Sequence, residues 1–146
     1  MSEGQSERSG HVFRLRVYYE DTDLAGIVYY ANYLRFIERA RTEALIAMGI
    51  DQAAMRARDG VVFAVRRVAV DYLAPARFQD ELTVMTVTER LAGARAELVQ
   101  EVRRGAELLV RAEVVVVCLG EDGRPRRMPA EVRAALGGLG PAADCP

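Results

Sequence analysis

The chain contains no lysine, and its twenty basic residues are all arginine. That absence removes Schiff-base chemistry, which needs a lysine amine. It also leaves the planar guanidinium as the one side chain for phosphate contacts. Histidine is nearly missing too. The single one, His11, borders a polar N-terminal stretch, so a Ser-His-Asp or Cys-His device would have to draw its base from the first strand. The two cysteines, Cys118 in a strand-like run and Cys145 beside the C-terminus, have no ligand-like neighbours, which argues against zinc. No apolar run approaches the ~20 residues of a membrane span. Nothing at the N-terminus reads as a signal peptide, so no membrane insertion and a cytoplasmic location with reduced thiols are expected. A formal net charge of −1 argues against a protein devoted to nucleic acid. Acid–base chemistry is left to carboxylates and water.

What is present centres on Tyr18 to Leu45, YYEDTDLAGIVYYANYLRFIERARTEAL. An alternating run ends there, an acidic turn follows (Asp21, Thr22, Asp23, then Gly26), and a helical pattern begins at Asn32. Tyr33, Ile37, Ala40, Ala44 and Met48 recur at spacings of four and three, which stacks them on one buried face. Gly49 is placed to end the helix. Asp and Thr before a helix are ordinary capping residues, and Gly26 permits a conformation or close approach that a side chain would block. The stretch is therefore expected to bring two carboxylates to the start of a long helix, where unpaired N–H groups can hold a carboxylate or polarise a carbonyl oxygen. Capping alone and a hydrolytic centre are both compatible with these residues.

Elsewhere the period is two. Val12–Tyr19, Val61–Tyr72, Leu82–Thr88, Ala96–Arg103 and Leu108–Leu119 read as strands joined by hairpin-length turns. The valine run Val114–Val117, apolar on both faces, reads as a central strand. The segment 51–60 reads as either a helical turn or a loop, and 129–136 as a short helix with Pro at its start. At 146 residues the chain is one domain of common size, expected over residues 11–137 with disordered tails at 1–10 and 138–146. The layout is α+β: a helix packed on an antiparallel sheet.

The run EDTDLAGIVYYANYLRFIERARTEAL resembles the signature of the 4-hydroxybenzoyl-CoA thioesterase family of hotdog-fold enzymes, and within it the Tol-Pal-associated acyl-CoA thioesterase branch. The match covers D-x-D-x-x-G-x-V-Y, A-N-Y and E-R-A-R-T-E without a gap. The resemblance implies a hotdog fold, a curved antiparallel sheet of about five strands wrapped around one long helix. It implies hydrolysis of an acyl-CoA thioester, with no cofactor beyond the CoA of the substrate, by a homo-oligomer (a dimer, or a tetramer of dimers). Asp23 is implied as general base or nucleophile, and the Tyr30 N–H as the donor to the thioester carbonyl. The N–H groups of Val28 and Tyr29 are further candidate donors, with Gly26 in the same site. The branch commonly carries His where this chain has Tyr30. For the CoA phosphates an arginine patch is expected, first Arg126 and Arg127, with Arg90 and Arg95 behind them. Asp21 is read as support for Asp23, Tyr33 as core, and Glu38 with Arg41 as ion-pairing residues that orient the helix. A non-catalytic acyl-CoA-binding regulator and an acyl-carrier-protein thioesterase share these features; a dehydratase would need a histidine the chain does not supply.

Overall fold

The computed structural model describes residues 10–140. Among them run strands β1 (His11–Arg16), β2 (Val62–Tyr72), β3 (Glu81–Ala92), β4 (Arg95–Arg104) and β5 (Glu107–Leu119). The helices are α1 (Asn32–Ala47), α2 (Gln52–Asp59) and α3 (Ala130–Gly137). The strands form one antiparallel sheet in the order β1-β3-β4-β5-β2, and α1 lies across its inner face in the hotdog arrangement. Strand alternation explains the packing. Leu82, Val84 and Thr86 of β3 and Ala96, Leu98, Gln100 and Val102 of β4 point inward and are buried. They meet Tyr33, Phe36, Ile37, Ala40 and Ala44 of α1.

Several expectations shift. Met48 stands at the C-cap of α1 and is 39% exposed, because the helix has ended and its inner stripe is completed by Phe36 instead. The undecided segment after Gly49 is a helix: Asp51 Oδ1 accepts the Ala54 N–H at 3.0 Å, and Gly60, at φ +68°, stops it. The valine-rich β5 is interior but not central. β4 holds the middle, and β5 lies one place from the β2 edge. The packed body also outruns the expected domain bounds. Leu139 is 1% exposed and its carbonyl accepts the Thr88 N–H at 3.3 Å, so the chain is held past residue 137. A Cβ built on Gly10 would lie 2.8 Å from Met85 Sδ, which seats that residue against β3. The remainder of both expected tails, 1–9 and 141–146 with Cys145, lies outside the described residues.

Among the described residues strand β2 forms an edge whose hydrogen-bonded neighbour is β5 alone. Its register slips between Val65 and Arg67, and Val62, Val65, Val68 and Tyr72 are exposed along it. Among the described residues no helix is long and apolar enough to cross a membrane.

Candidate active site

The acidic turn does not cap α1. The N-cap is Ala31, with no side-chain bond, and the acids lie some ten positions upstream in a loop of their own. Residues Tyr19–Asp21 make one 3-10 turn, in which the Asp21 carboxylate accepts the Tyr18 N–H at 2.8 Å. The chain then doubles back. The Asp23 N–H donates to the Ile27 carbonyl at 2.9 Å, the Gly26 N–H to the Asp23 carbonyl at 3.0 Å, and Thr22 pairs with Val28. Gly26 closes the loop at φ +80°. A Cβ built there meets nothing within 4 Å, so glycine is required for its torsion and not for space.

The Asp21 backbone ties this loop to the start of α1. Its carbonyl accepts the Tyr29 N–H at 3.0 Å and Asn32 Nδ2 at 2.9 Å. Asn32, the centre of the A-N-Y motif, thus clamps loop to helix, a role invisible in the spacing. Asp23 Oδ1 accepts the Ala25 N–H at 2.8 Å. Its Oδ2 makes no hydrogen bond among the described residues. The side chain is exposed among the described residues, not sunk at the helix mouth as anticipated, so any wall that keeps water from it must come from outside those residues.

The three candidate donors separate cleanly. The Val28 N–H is engaged by the Ala76 carbonyl at 2.9 Å and the Tyr29 N–H by Asp21, so neither is free to grip a substrate oxygen. The Tyr30 N–H makes no hydrogen bond among the described residues, and beside it the Ala31 N–H makes none either. The Ala31 amide is one of the orphan donors that every helix start leaves, and the Tyr30 amide lies one residue before it. Aromatic rings wall them. Tyr30 lies 5.0 Å from Tyr29 and 6.0 Å, edge to face, from Tyr72, and Tyr72 lies 5.7 Å from Tyr33. Tyr33 is core, its hydroxyl accepting the Ala76 N–H at 2.9 Å. Burial raises the phenol pKa of both Tyr33 and Tyr72. Tyr72 belongs to this cluster although its strand position alone gave no sign of it.

The arginines lie elsewhere. The Arg126 N–H donates to the Cys118 carbonyl at 2.9 Å, and Cys118 pairs with Phe63 near the start of β2. Tyr72, beside Tyr30, ends the same strand, and ten residue steps separate Val62 from Tyr72 by roughly 33 Å. One chain does not bring Arg126 and Arg127 to the Asp23 loop. Acids share their surface: Arg126 lines a cleft with Asp59, Glu121 and Asp122, and both arginines line another with Glu131. Arg95 pairs with Glu97 at 3.0 Å. Neither Glu38 nor Arg41 enters the expected ion pairs among the described residues. Glu38 Oε2 accepts the Thr42 hydroxyl at 2.9 Å, while Arg41 turns inward to Gln100 Oε1 at 3.0 Å.

The comparisons with known proteins agree with this layout. The family model described as the thioesterase-like superfamily matches residues 17–136. An acyl-CoA thioesterase YbgC of Haemophilus influenzae is 40% identical over 130 residues, 88% of this chain and 95% of the relative. An acyl-CoA thioester hydrolase YbgC of Escherichia coli O6:H1 is 42% identical over 122 residues, covering 82% and 90%. The crystal structure of a probable thioesterase from Bartonella henselae superposes with a TM-score of 0.77 at 38% identity, over 82% of this chain and 99% of that one. With the family match spanning β2 to β5, the central helix and the Asp23 loop, this chain belongs to the thioesterase-like superfamily.

Proposed function

We propose that the chain hydrolyses acyl-CoA thioesters in the cytoplasm, releasing a carboxylic acid and free CoA. One observation carries the reading. A loop stitched to the start of α1 presents a carboxylate with an unspent oxygen, and the same stretch carries a backbone amide, that of Tyr30, which the neighbouring bonds leave free. Asp23 Oδ2 takes a proton from water as the new C–O bond forms at the thioester carbonyl. The Tyr30 N–H donates to the oxyanion that develops, a contact of the kind worth about 3 kcal/mol of barrier. Collapse breaks the C–S bond, and the leaving thiolate takes up the proton. Direct attack by the same carboxylate, through a mixed anhydride that water then cleaves, uses the same two groups.

Exposure of Asp23 and the bare apolar edge of β2 support a homo-oligomer. An edge carrying Val62, Val65, Val68 and Tyr72 is a template for pairing, and a two-fold axis makes such pairing self-complementary. Antiparallel association of two β2 edges would set the Tyr72 end of one chain beside the Val62 end of the other. The separation of Asp23 from Arg126 and Arg127 within one chain would then be closed across the interface, with the arginines at the CoA phosphates of the partner's site.

The test is thiol release from short, aromatic and long acyl-CoAs, with carrier-protein thioesters alongside. Turnover of at least one CoA ester is expected. The Asp23→Asn variant should lose about 10²–10⁴-fold in rate while melting at the parent temperature. Near-parental turnover in that variant would remove Asp23 from the chemistry, and no turnover of any ester by the parent would reject the hydrolase.

A further inference from the structure

Two polar centres lie apart from the reacting groups. At Gln100, which is buried, Nε2 donates to the Ile37 carbonyl and to Thr86 Oγ1, each at 2.9 Å, and the amide is fully used there. The second lies further along β4 and closes on the connection between β2 and β3. Arg104 Nη1 donates to Asp80 Oδ2 at 2.7 Å and to the Pro75 carbonyl at 3.3 Å. The same Asp80 oxygen accepts the Arg77 N–H at 2.8 Å. One ion pair thus grips the two peptide groups that flank Ala76. A peptide is planar, so a bond at one end orients the group at the other. Those other ends face the candidate site. The Ala76 N–H donates to the Tyr33 hydroxyl and the Ala76 carbonyl accepts the Val28 N–H, each at 2.9 Å, while Ile27 pairs with Arg77. Ile27 in turn accepts the Asp23 N–H, and Tyr30 follows Val28 by two residues. The remaining hydrogen bonds of residues 22–28 run, among the described residues, within the loop or back to Tyr19 and Asp21.

Taking the hydrolase reading as given, we propose that Asp80 and Arg104 are positioning residues for hydrolysis: by orienting the peptides on either side of Ala76 they set the Asp23 carboxylate against the Tyr30 amide. The pair touches neither the substrate nor the reacting atoms. Its side chains are 32% and 23% exposed, and a partly solvated pair adds little to stability; what it fixes is direction. The same connection carries backbone strain. Gln79 stands at φ +73°, the one positive φ outside glycine among the described residues. Its N–H donates to the Val17 carbonyl at 2.9 Å and its carbonyl accepts Arg16 Nη1 at 3.0 Å. A left-handed torsion is unfavourable for a residue with a Cβ and persists where the surroundings over-determine the backbone.

Steady-state kinetics of the full chain, on an acyl-CoA that the parent turns over, test the assignment. Asp80→Ala should lower kcat about 10–100-fold, the scale of a misplacement near 1 Å, with KM within about twofold of the parent's. Asp80→Asn keeps an oxygen able to accept from both Arg77 and Arg104, and should recover most of that loss. Arg104→Met should match Asp80→Ala, and the double variant should lose no more than either alone, because the pair acts as one unit. Glu107 accepts Arg104 Nη2 at 2.8 Å without reaching the Ala76 peptides, so Glu107→Gln should keep the parental kcat. Backbone NMR gives a second readout: in Asp80→Ala the Val28 N–H should exchange faster and the Tyr30 amide should shift. Parental kcat in Asp80→Ala, a raised KM at unchanged kcat, or an unmoved Tyr30 amide would overturn the proposal. So would a loss in Glu107→Gln as large as in Asp80→Ala. Should Asp80→Ala fail to fold, parental kcat in Arg104→Met overturns it equally. A parent that turns over no ester rejects the hydrolase and not the clasp, whose hold on the Val28 and Tyr30 amides is then read from the NMR alone.

Discussion

The Thr22–Val28 loop and the Gln100 centre both hold polar side chains beside α1, but by different means. The loop is exposed, and its shape is fixed by main-chain bonds: Asp23 to Ile27, Gly26 to Asp23, and the Asp21 carbonyl to the Tyr29 N–H. Asp23 itself keeps one oxygen unbonded. At Gln100 the reverse holds. The side chains make the bonds, joining β4 to β3 and α1 with no group of the amide left over. Buried polar groups must be satisfied because leaving one unpaired is costly, while a surface loop pays little for a spare acceptor. Chemistry is therefore expected where the backbone carries the architecture, and stability where the side chains do.

Substitutions can break that division. The largest stability effect should come from Gln100→Leu, which strands Arg41, Thr86 and the Ile37 carbonyl together. A loss of about 2–4 kcal/mol is expected in denaturant unfolding, and a loss under 1 kcal/mol would show that water satisfies the centre already. Tyr33→Phe removes the acceptor of the buried Ala76 N–H, and about 1–3 kcal/mol should follow. Gly26→Ala sharpens the other side of the comparison. It should cost only about 1 kcal/mol, the penalty of a left-handed torsion for an L-residue, yet lower thioester turnover visibly by moving Asp23. Unchanged turnover would mean that the loop shape is not what positions the acid.

The smallest effect concerns pH. Burial raises the Asp80 carboxyl pKa, but the Arg77 N–H and the Arg104 guanidinium outweigh it and hold the group below its ordinary value. Arg104 reaches it at 2.7 Å. A native pKa below the unfolded one means the unfolded chain binds protons more readily. The contribution of Asp80 is therefore complete above the unfolded value of about 3.9 and lost as pH falls through the depressed native value. The stability gap between the parent and Asp80→Asn, measured by denaturation, should be constant near neutrality and shrink as the pH drops below about 4. A gap that widens in acid would contradict the assignment.

Much of the fold could be read before the coordinates because its strands alternate cleanly. Ala96, Leu98, Gln100 and Val102 place the inner face of their strand, whereas Leu82–Thr88, with Met85 and Val87 opposite the buried Thr86 and Thr88, reads as a strand without showing which face is inner. Strand order could not be read, since the Val114–Val117 run reports burial and not neighbours. Helix α2 stayed undecided because Met55 is its one buried residue. At the candidate site the acidic turn and Gly26 were legible as a motif, and their placement was not. Asp-Thr-Asp offers the same bonds to a helix start and to a tight loop, and only the fold chooses. Gln100 was hidden by its period, which looks the same for a bonded amide and an apolar side chain.

The fastening of the Asp21 carbonyl by Tyr29 and Asn32 makes length, not composition, the guarded property of the intervening segment. Side chains at Leu24, Ala25 and Ile27 can be exchanged while both rims stay pinned, so this is where altered acyl preference can be sought by mutagenesis. Adding or removing a single residue there would put Asp23 and the Tyr30 amide out of step, whatever the new side chain.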